Sequence, residues 1–513
     1  MSGVINRIIV LGGGTAGWIT AGILAKKHAS NLSNQGIKVT LIESPEISVV
    51  GVGEGTWPTM RKTLSQLGIS ETQFMRECGA TFKQASKFVN WVNAKDDVYY
   101  HPFTEPQGFN KVDPAPYWQS VVEPACSFSE AVSFQQYLCE QGLAPKTIAN
   151  KEYEVIANYG YHLDAAKFIA LLRKHCISEL GVEHISDTVD RIEQAPCGDI
   201  SCLQTKEHGA QLADLFVDCS GMRSLLLGET LKVPFIPCDD VFLADTAIAT
   251  QVPYINENDP IACHTISTAQ EAGWIWDIGL QERRGVGYVY SSKHCSEEQA
   301  RKTLANYIGL EEVKTAKKIN FKPGHRKIFW KNNCVAVGLA AGFLEPLEAS
   351  ALMLIEASAN YIADQLPPNK ELMPITAKRF NAIMLKKWRG VIDFLKLHYA
   401  LSERTEPFWL EHRDTQSIPN SLQELLSIWR YSSPSEYDFT DNVEAFSAAS
   451  YQYILYGVGF KSDFSQMEHI YNQGELAKKQ LQMTKIRIDQ LKYNLPTHRD
   501  LINKVNSLGF AKL

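Results

Sequence analysis

Arg7-Ile8-Ile9-Val10-Leu11-Gly12-Gly13-Gly14-Thr15-Ala16-Gly17 is the stretch on which the fold turns. Its first five residues form a short apolar run without polar alternation, the pattern of a strand buried on both faces of a parallel sheet. Gly12, Gly14 and Gly17 then fit G-x-G-x-x-G. In that spacing the first glycine allows a tight turn and the second lets backbone approach a pyrophosphate. The third lets helix pack on strand. A helix is expected from Trp18 to about His28, with Thr15 and Ala16 at its approach and its N–H groups facing the phosphates. A second strand, Lys38 to Ile42, ends at Glu43, a carboxylate able to accept from ribose hydroxyls and to repel a 2′-phosphate. Strand, glycines, helix, strand and acid in this order point to a bound dinucleotide. They do not separate FAD from NAD, and the alternative is a glycine turn of purely structural use.

Val49 to Thr56 supplies a second glycine loop, with Gly51, Gly53, Glu54 and Thr56. Such a loop exposes backbone donors suited to a second approach to the cofactor, or is an ordinary turn.

Composition bounds the rest. The chain has 513 residues, 45% hydrophobic and 21% charged, with net charge -6. Neither a basic tail nor a polybasic run occurs, which argues against nucleic-acid and anionic-membrane partners. No apolar stretch reaches membrane-spanning length, and no signal peptide is visible. The 11 cysteines include no C-x-x-C pair and no Cys/His cluster at zinc spacing, so no metal is expected. Reduced thiols in a cytoplasmic protein are the expectation.

A second focus is Gly342-Phe-Leu-Glu-Pro-Leu-Glu-Ala-Ser-Ala351. Glu345 and Glu348 stand here between apolar runs, and buried carboxylates are costly unless paired or used. Gly338 lies in the run just before, and Ser350 and Ala351 stand at an expected helix start. Elsewhere, Lys83 and Lys87 lie four apart on an apolar stretch and would share a face if it were helical. His101 and Phe103 line a pocket or are surface aromatics. Trp274, Trp276 and Ile278 alternate on one strand face, either as the wall of a cavity or as core. Arg284 to Tyr290 reads as the next strand of that hairpin. Asp164 is placed to cap a helix from Ala165 to about Cys176, and Leu215 to Asp218 reads as a strand returning to the nucleotide. From about Ala359 the chain turns helix-rich, with helices expected over Met384 to Ser402 and Gln473 to Lys492. Tyr451, Tyr453 and Tyr456 lie close together between them.

Taken together, these landmarks resemble the flavin-dependent tryptophan halogenase family. The two glycine loops match it, as do Ala80-Thr-Phe-Lys83, Glu345-Pro-Leu-Glu-Ala-Ser350 and Trp274-x-Trp276-x-Ile278. Leu397 to Arg404 and Pro407-Phe-Trp409 resemble a helical region of the same proteins. The resemblance implies an α/β flavoprotein monooxygenase fold, with a Rossmann-like FAD-binding part, additional β-sheet and a helix-rich C-terminal portion. The expected division is 1–358 for FAD binding and catalysis, with a β-rich insertion around 90–330, and 359–513 for the substrate side.

It also implies the chemistry. FAD, reduced by a separate flavin reductase, reacts with O2 and a halide, chloride or bromide, is oxidised to hypohalous acid. Lys83 passes the halogen to an electron-rich aromatic, free or carrier-bound, and Glu348 stabilises the cationic intermediate and takes its proton. Backbone N–H groups at Ser350 and Ala351 would hold the halide. Gly12, Gly14, Thr15, Ala16, Gly17, Glu43, Gly51, Gly53, Glu54 and Gly338 would hold the flavin nucleotide. His101, Phe103, Trp274, Trp276 and Tyr451 would shape the substrate side, and a homodimer is compatible with all of this. This sequence departs from the family where Gly279 replaces a proline, a change expected to loosen the tryptophan wall, and where Ala349 and Ser350 replace Ser-Thr. The rival readings are a flavin-dependent aromatic monooxygenase and a flavin-binding protein without turnover.

Overall fold

A computed structural model describes residues 3–29, 36–46, 53–122, 126–313, 316–439 and 444–512. Gly51 lies outside the described residues. The chain divides into two units, each assembled from three stretches. The first takes Met1–Gly79, Leu163–Cys238 and Lys322–Trp388, and the second Ala80–His162, Asp239–Phe321 and Arg389–Leu513.

The first unit is built on a six-stranded sheet. Its order is Trp330–Lys331, Cys334–Ala336, Leu215–Asp218, Arg7–Leu11, Lys38–Glu43 and Glu183–Ser186. All neighbours are parallel except the short Trp330–Lys331 edge. Ile8, Ile9, Val10 and Leu11 are buried, as an unalternating apolar run in a central parallel strand requires. The helix that follows begins at Thr15, three residues before the expected start, and runs to His28. It packs between the helices Ala165–Ser178 and Ser350–Asp364. Asp164 caps Ala165–Ser178 as expected, its side chain accepting from the N–H groups of Ala166 at 3.0 Å and Lys167 at 3.1 Å.

The second unit holds a seven-stranded sheet. Its order is Lys317–Asn320, Thr246–Pro253, Arg283–Tyr290, Gly273–Gly279, Thr265–Gln270, Ala85–Val89 and Val98–Pro102. Every pairing is antiparallel except Thr265–Gln270 with Ala85–Val89. The segment around Lys83 and Lys87 is therefore not helical. Lys83 ends the strand Thr81–Lys83, and Lys87 sits in Ala85–Val89 beyond a break at Gln84. Helices of the C-terminal region follow, among them Ala448–Gly457, Gly474–Leu491 and His498–Ser507. The long helix Met373–Ala400 gives its first part to one unit and its last part to the other.

The hairpin Gly273–Gly279/Arg283–Tyr290 explains how a tryptophan pair fits a crowded sheet. Trp276 lies opposite Gly287 in the ladder. A Cβ on Gly287 would fall 2.1 Å from the Trp276 ring, so the indole lies flat over bare backbone. Gly287→Ala should therefore force Trp276 aside and cost about 1–3 kcal/mol, the usual penalty of overpacking. Thermal denaturation followed by tryptophan fluorescence would show it as a lowered Tm, and an unchanged Tm would refute the packing described.

Candidate functional site

The turn after the first strand is shaped by glycines whose missing side chains do different things. Gly12 has φ +118°, and a Cβ there would lie 2.2 Å from the Cys219 carbonyl oxygen. A Cβ on Gly17 would lie 1.8 Å from the Gly12 carbonyl oxygen, so helix and strand meet without an intervening side chain. Around Gly14, by contrast, nothing lies within 4 Å of the place a Cβ would take. Gly14 also starts the helix without a side-chain cap. Open space in front of uncapped N–H groups is the environment a pyrophosphate needs, so these residues fit a dinucleotide.

Gly13, which the motif leaves unassigned, has its own use. The place of its Cβ is filled by the Glu43 carboxylate, Oε2 being 1.5 Å away. The other oxygen, Oε1, pairs with His184 Nε2 at 2.8 Å and lies 3.5 Å from Arg173 Nε. Gly338 adds a further contact. Its φ is +69°, and a Cβ would press on Ala16 at 2.6 Å. The following Leu339 is exposed.

Gly53 and Glu54 form a short strand, Gly53–Gly55, and Gly53 is buried. Glu54 is half-buried by surface area. Loss of water, and then the Asp164 carboxylate, push its pKa up to about 7.

Glu345 and Glu348 are both buried, at 2% and 1% exposure. Glu348 is anchored through its backbone, its carbonyl accepting from Trp57 Nε1 at 2.7 Å. Ala349 then takes φ 54°, ψ 36°, a left-handed conformation uncommon for a residue with a Cβ, and the helix Ser350–Asp364 starts from it without a side-chain cap. Ser350 is buried and Ala351 exposed. An uncapped N-terminus of a helix this long offers N–H groups and a favourable dipole to an anion.

In the second unit Lys83 is 1% exposed. Its strand pairs antiparallel with Gly160–His162, Lys83 lying opposite Gly160. The ammonium sits 5.3 Å from the centre of the Phe103 ring. Burial first, then the Lys83 charge, holds neighbouring His162 well below its ordinary pKa and so neutral. His101 is buried among aromatic rings, 5.5 Å from Phe394 and 6.3 Å from Phe446. Phe394 stacks on Phe446 at 3.6 Å and meets Tyr451 edge-on at 4.9 Å. Tyr453 joins the group 6.2 Å from His101. Trp274 and Trp276 stand 6.4 Å apart, and Trp274 lies 6.2 Å from Trp91, which in turn meets Trp409 at 5.2 Å.

The chain also matches known proteins. A family model described as tryptophan halogenase matches residues 7–472. The chain belongs to the tryptophan halogenase family. A crystal structure of a tryptophan halogenase from Shewanella frigidimarina NCIMB 400 superposes with TM-score 0.95 at 48% identity, covering 99% of each chain. Tryptophan 6-halogenase SttH from Streptomyces toxytricini is 33% identical over 88% of this chain and 89% of its own. BrvH, a flavin-dependent halogenase from Brevundimonas sp. BAL3, superposes with TM-score 0.86 at 30% identity, covering 98% of this chain and 99% of its own. The protein is thus an enzyme of the flavin-dependent halogenase class, a user of flavin and halide that halogenates an aromatic compound. Among the described residues no helix is long and apolar enough to cross a membrane.

At Gly279 itself, a Cβ would meet Ile261 at 2.9 Å and the Tyr254 hydroxyl at 3.2 Å, so the position has no spare room beside it. Its carbonyl accepts from the Thr81 hydroxyl at 2.6 Å. Trp57, Gly13, His184 and Trp91 were not read as site residues. Trp57 is the most telling, because a bond to a backbone carbonyl leaves no pattern in the partner's residue type.

The helix Ser350–Asp364 also buries Glu356, which accepts from the hydroxyls of Thr59, at 2.8 Å, and Thr63. Burial raises its pKa from 4.5 to about 7 against the lowering effect of those two bonds. The folded state then holds this proton more tightly than the unfolded state does. Stability should fall as pH rises from about 4.5 to about 7, by on the order of 3 kcal/mol at most. Glu356→Gln should lessen the dependence of Tm on pH between these limits, leaving the part due to other raised carboxyls such as Glu54 and Asp393. An equal slope in the variant would refute the assignment.

Proposed function

We propose that this protein halogenates an electron-rich aromatic, of indole or phenol type, using FADH2 and O2, with Lys83 and Glu348 as its working residues. The observation that carries the reading is the Lys83 ammonium, 1% exposed beside the Phe103 ring on a family-matched segment. A lysine taken from water at such cost is poised to act as a nitrogen donor.

The flavin supplies, when reduced and supplied with O2, the oxidising equivalent that turns halide into hypohalous acid. Gly12, Gly14, Thr15, Ala16, Gly17, Gly53, Glu54 and Gly338 would hold its nucleotide. The reading gives Glu43 the ribose and makes His184, bonded to Glu43 Oε1, its positioning partner. The N–H groups at Ser350 and Ala351 would hold chloride or bromide, aimed by the left-handed turn at Ala349. Lys83 then hydrogen-bonds the hypohalous acid and directs its halogen at the ring carbon. Glu348 stabilises the positive charge that develops on the ring and removes its proton. Trp57 acts as a positioning residue by fixing the Glu348 backbone.

His101, Phe103 and Tyr451, with Phe394 and Phe446, offer flat apolar faces suited to an aromatic substrate. Trp274 and Trp276 keep that substrate from the flavin. Tryptophan, named in the relatives, belongs among the candidates beside indoles, phenols and carrier-bound aromatics. No second nucleotide fingerprint is visible in the sequence, so the reduced flavin comes from a separate reductase. The cytoplasm is the proposed compartment, a reading supported by cysteines that are all free thiols.

Mass spectrometry on a panel of these aromatics tests the reading, with FAD, NADH, a flavin reductase, O2 and bromide. A bromine isotope doublet that requires the protein is expected, whereas gain of one oxygen would mean a monooxygenase. Lys83→Ala should abolish the brominated product, a loss of at least about a hundredfold, and leave oxidation of reduced flavin by O2 intact. Wild-type bromination by Lys83→Ala would refute the role given to Lys83.

A further inference from the structure

Beside the Lys83 strand lies a buried cluster that the proposed chemistry leaves unused. Cys139 ends toward the close of the helix Phe134–Glu140, and Cys263 and His264 precede the strand Thr265–Gln270. Their two sulfurs and one imidazole nitrogen all lie within 4.8 Å of one another. Cys139 is 2% exposed and Cys263 0%. Ala85 and Tyr100 pack against the two thiols.

The cluster is joined to the Lys83 strand through the main chain. Gln84, the residue after Lys83, donates its N–H to the Cys263 carbonyl at 2.7 Å. The polar atoms of the cluster are poorly satisfied. His264 Nδ1 and the Tyr100 hydroxyl are buried without hydrogen-bond partners. The Cys263 sulfur makes long contacts with the carbonyls of Leu138 and Cys139, at 4.0 and 3.9 Å. Native interiors rarely leave such groups unpaired without a use. The two thiols also differ in acidity. Cys263 accepts from Cys139 and from His264, which lowers its pKa well below the ordinary thiol value, whereas burial raises that of Cys139. One sulfur is thus prepared as a nucleophile and the other as the thiol that completes a disulfide.

We propose that Cys139 and Cys263 form a sacrificial dithiol that reduces hypohalous acid straying from Lys83, closing to a disulfide as it does so. The inference rests on the reading that hypohalous acid is made in this protein. The Cys263 sulfur attacks the halogen, an S–X bond forms, the O–X bond breaks, and hydroxide leaves as water after taking a proton. The Cys139 sulfur then displaces halide from Cys263, the S–S bond forms, and the proton it loses passes to His264. In sum, two thiols and one hypohalous acid give one disulfide, one halide ion, one proton and one water. The sulfur pair loses two electrons and the halogen gains them. Hypohalous acid is small and neutral, so a buried pair meets it while bulky thiol reagents are kept out.

The test has two arms. In the first, the reduced protein receives one equivalent of hypochlorite and is quenched, unfolded and alkylated. Digestion without reductant should yield the Cys139 and Cys263 peptides joined, as the main cysteine product and ahead of oxidation at exposed Cys197. Oxidation at Cys197 or elsewhere without the joined peptide would overturn the proposal whatever the enzyme's activity. In the second arm the enzyme turns over with reductase, FAD, NADH, O2 and bromide but no aromatic substrate. The joined peptide should accumulate only with bromide. If a soluble aromatic trap in the same mixture is brominated and the joined peptide is absent, the dithiol falls and the halogenase reading stands. If the trap stays unbrominated, the halogenase reading falls, and the first arm still decides whether this pair is the oxidisable site. Cys139→Ser should abolish the joined peptide and shorten the life of the halogenating activity several-fold in the second arm. An unchanged lifetime would overturn the protective role. A metal ion found at one per chain in the purified protein and lost in Cys263→Ser would overturn the proposal as well, since ligated thiolates are held as metal ligands.

Discussion

The first unit depends on the exclusion of side chains from one turn. The Gly12 carbonyl sits where a Cβ of residue 17 would be, and the Cys219 carbonyl where a Cβ of residue 12 would be. Gly338 presses on Ala16 from a third segment. Three separate stretches of chain thus meet at backbone distance. Only such closeness brings the uncapped start of a helix to the ends of parallel strands, where a charged phosphate can be met by N–H groups and little else. Any side chain added there moves a strand, not a rotamer.

The protein also buries charge with unusual readiness. Lys83, Glu345, Glu348 and Glu356 are all at 3% exposure or less. Taking such groups from water is among the costliest acts in folding. Hydroxyls meet Glu356, and an aromatic face meets Lys83. Lys83 and Glu348 stand on the segments that resemble the family, and buried ionisable groups are candidates for places where chemistry is done.

Much of the first unit was legible because its signals are local. A five-residue apolar run, spaced glycines and an acid at a strand end each carry their meaning within a few positions. The same holds for the Asp164 cap and for the tryptophan hairpin, whose alternation of faces needs only strand geometry. The Lys83 region was harder. A short run buried on all sides has no periodicity to separate strand from helix, and the break at Gln84 divides it into two strands. Contacts between distant residues were not legible at all. Trp57 and Glu348 are 291 positions apart and joined through a carbonyl. Cys139 and Cys263 are 124 apart and follow no ligand or redox spacing. Gly279 shows how little a residue type says about the space around it. Its departure from the family suggests slack, whereas Ile261 and Tyr254 stand within contact distance of where a side chain would go.

The interleaving of the two units bears on how the chain can be made. The central strand Leu215–Asp218 lacks its neighbour Cys334–Ala336 until that segment has been synthesised. The Ala85–Val89 strand likewise waits for Thr265–Gln270, and its unit is complete only with residues 389–513. During translation, then, neither unit can close on its own; half-built sheets with open edges must persist until most of the polypeptide has left the ribosome. Such a topology favours slow, late and cooperative folding and a long exposure to aggregation. The yield of soluble protein is accordingly expected to be governed by chaperone supply and growth temperature as much as by the final stability of the native state.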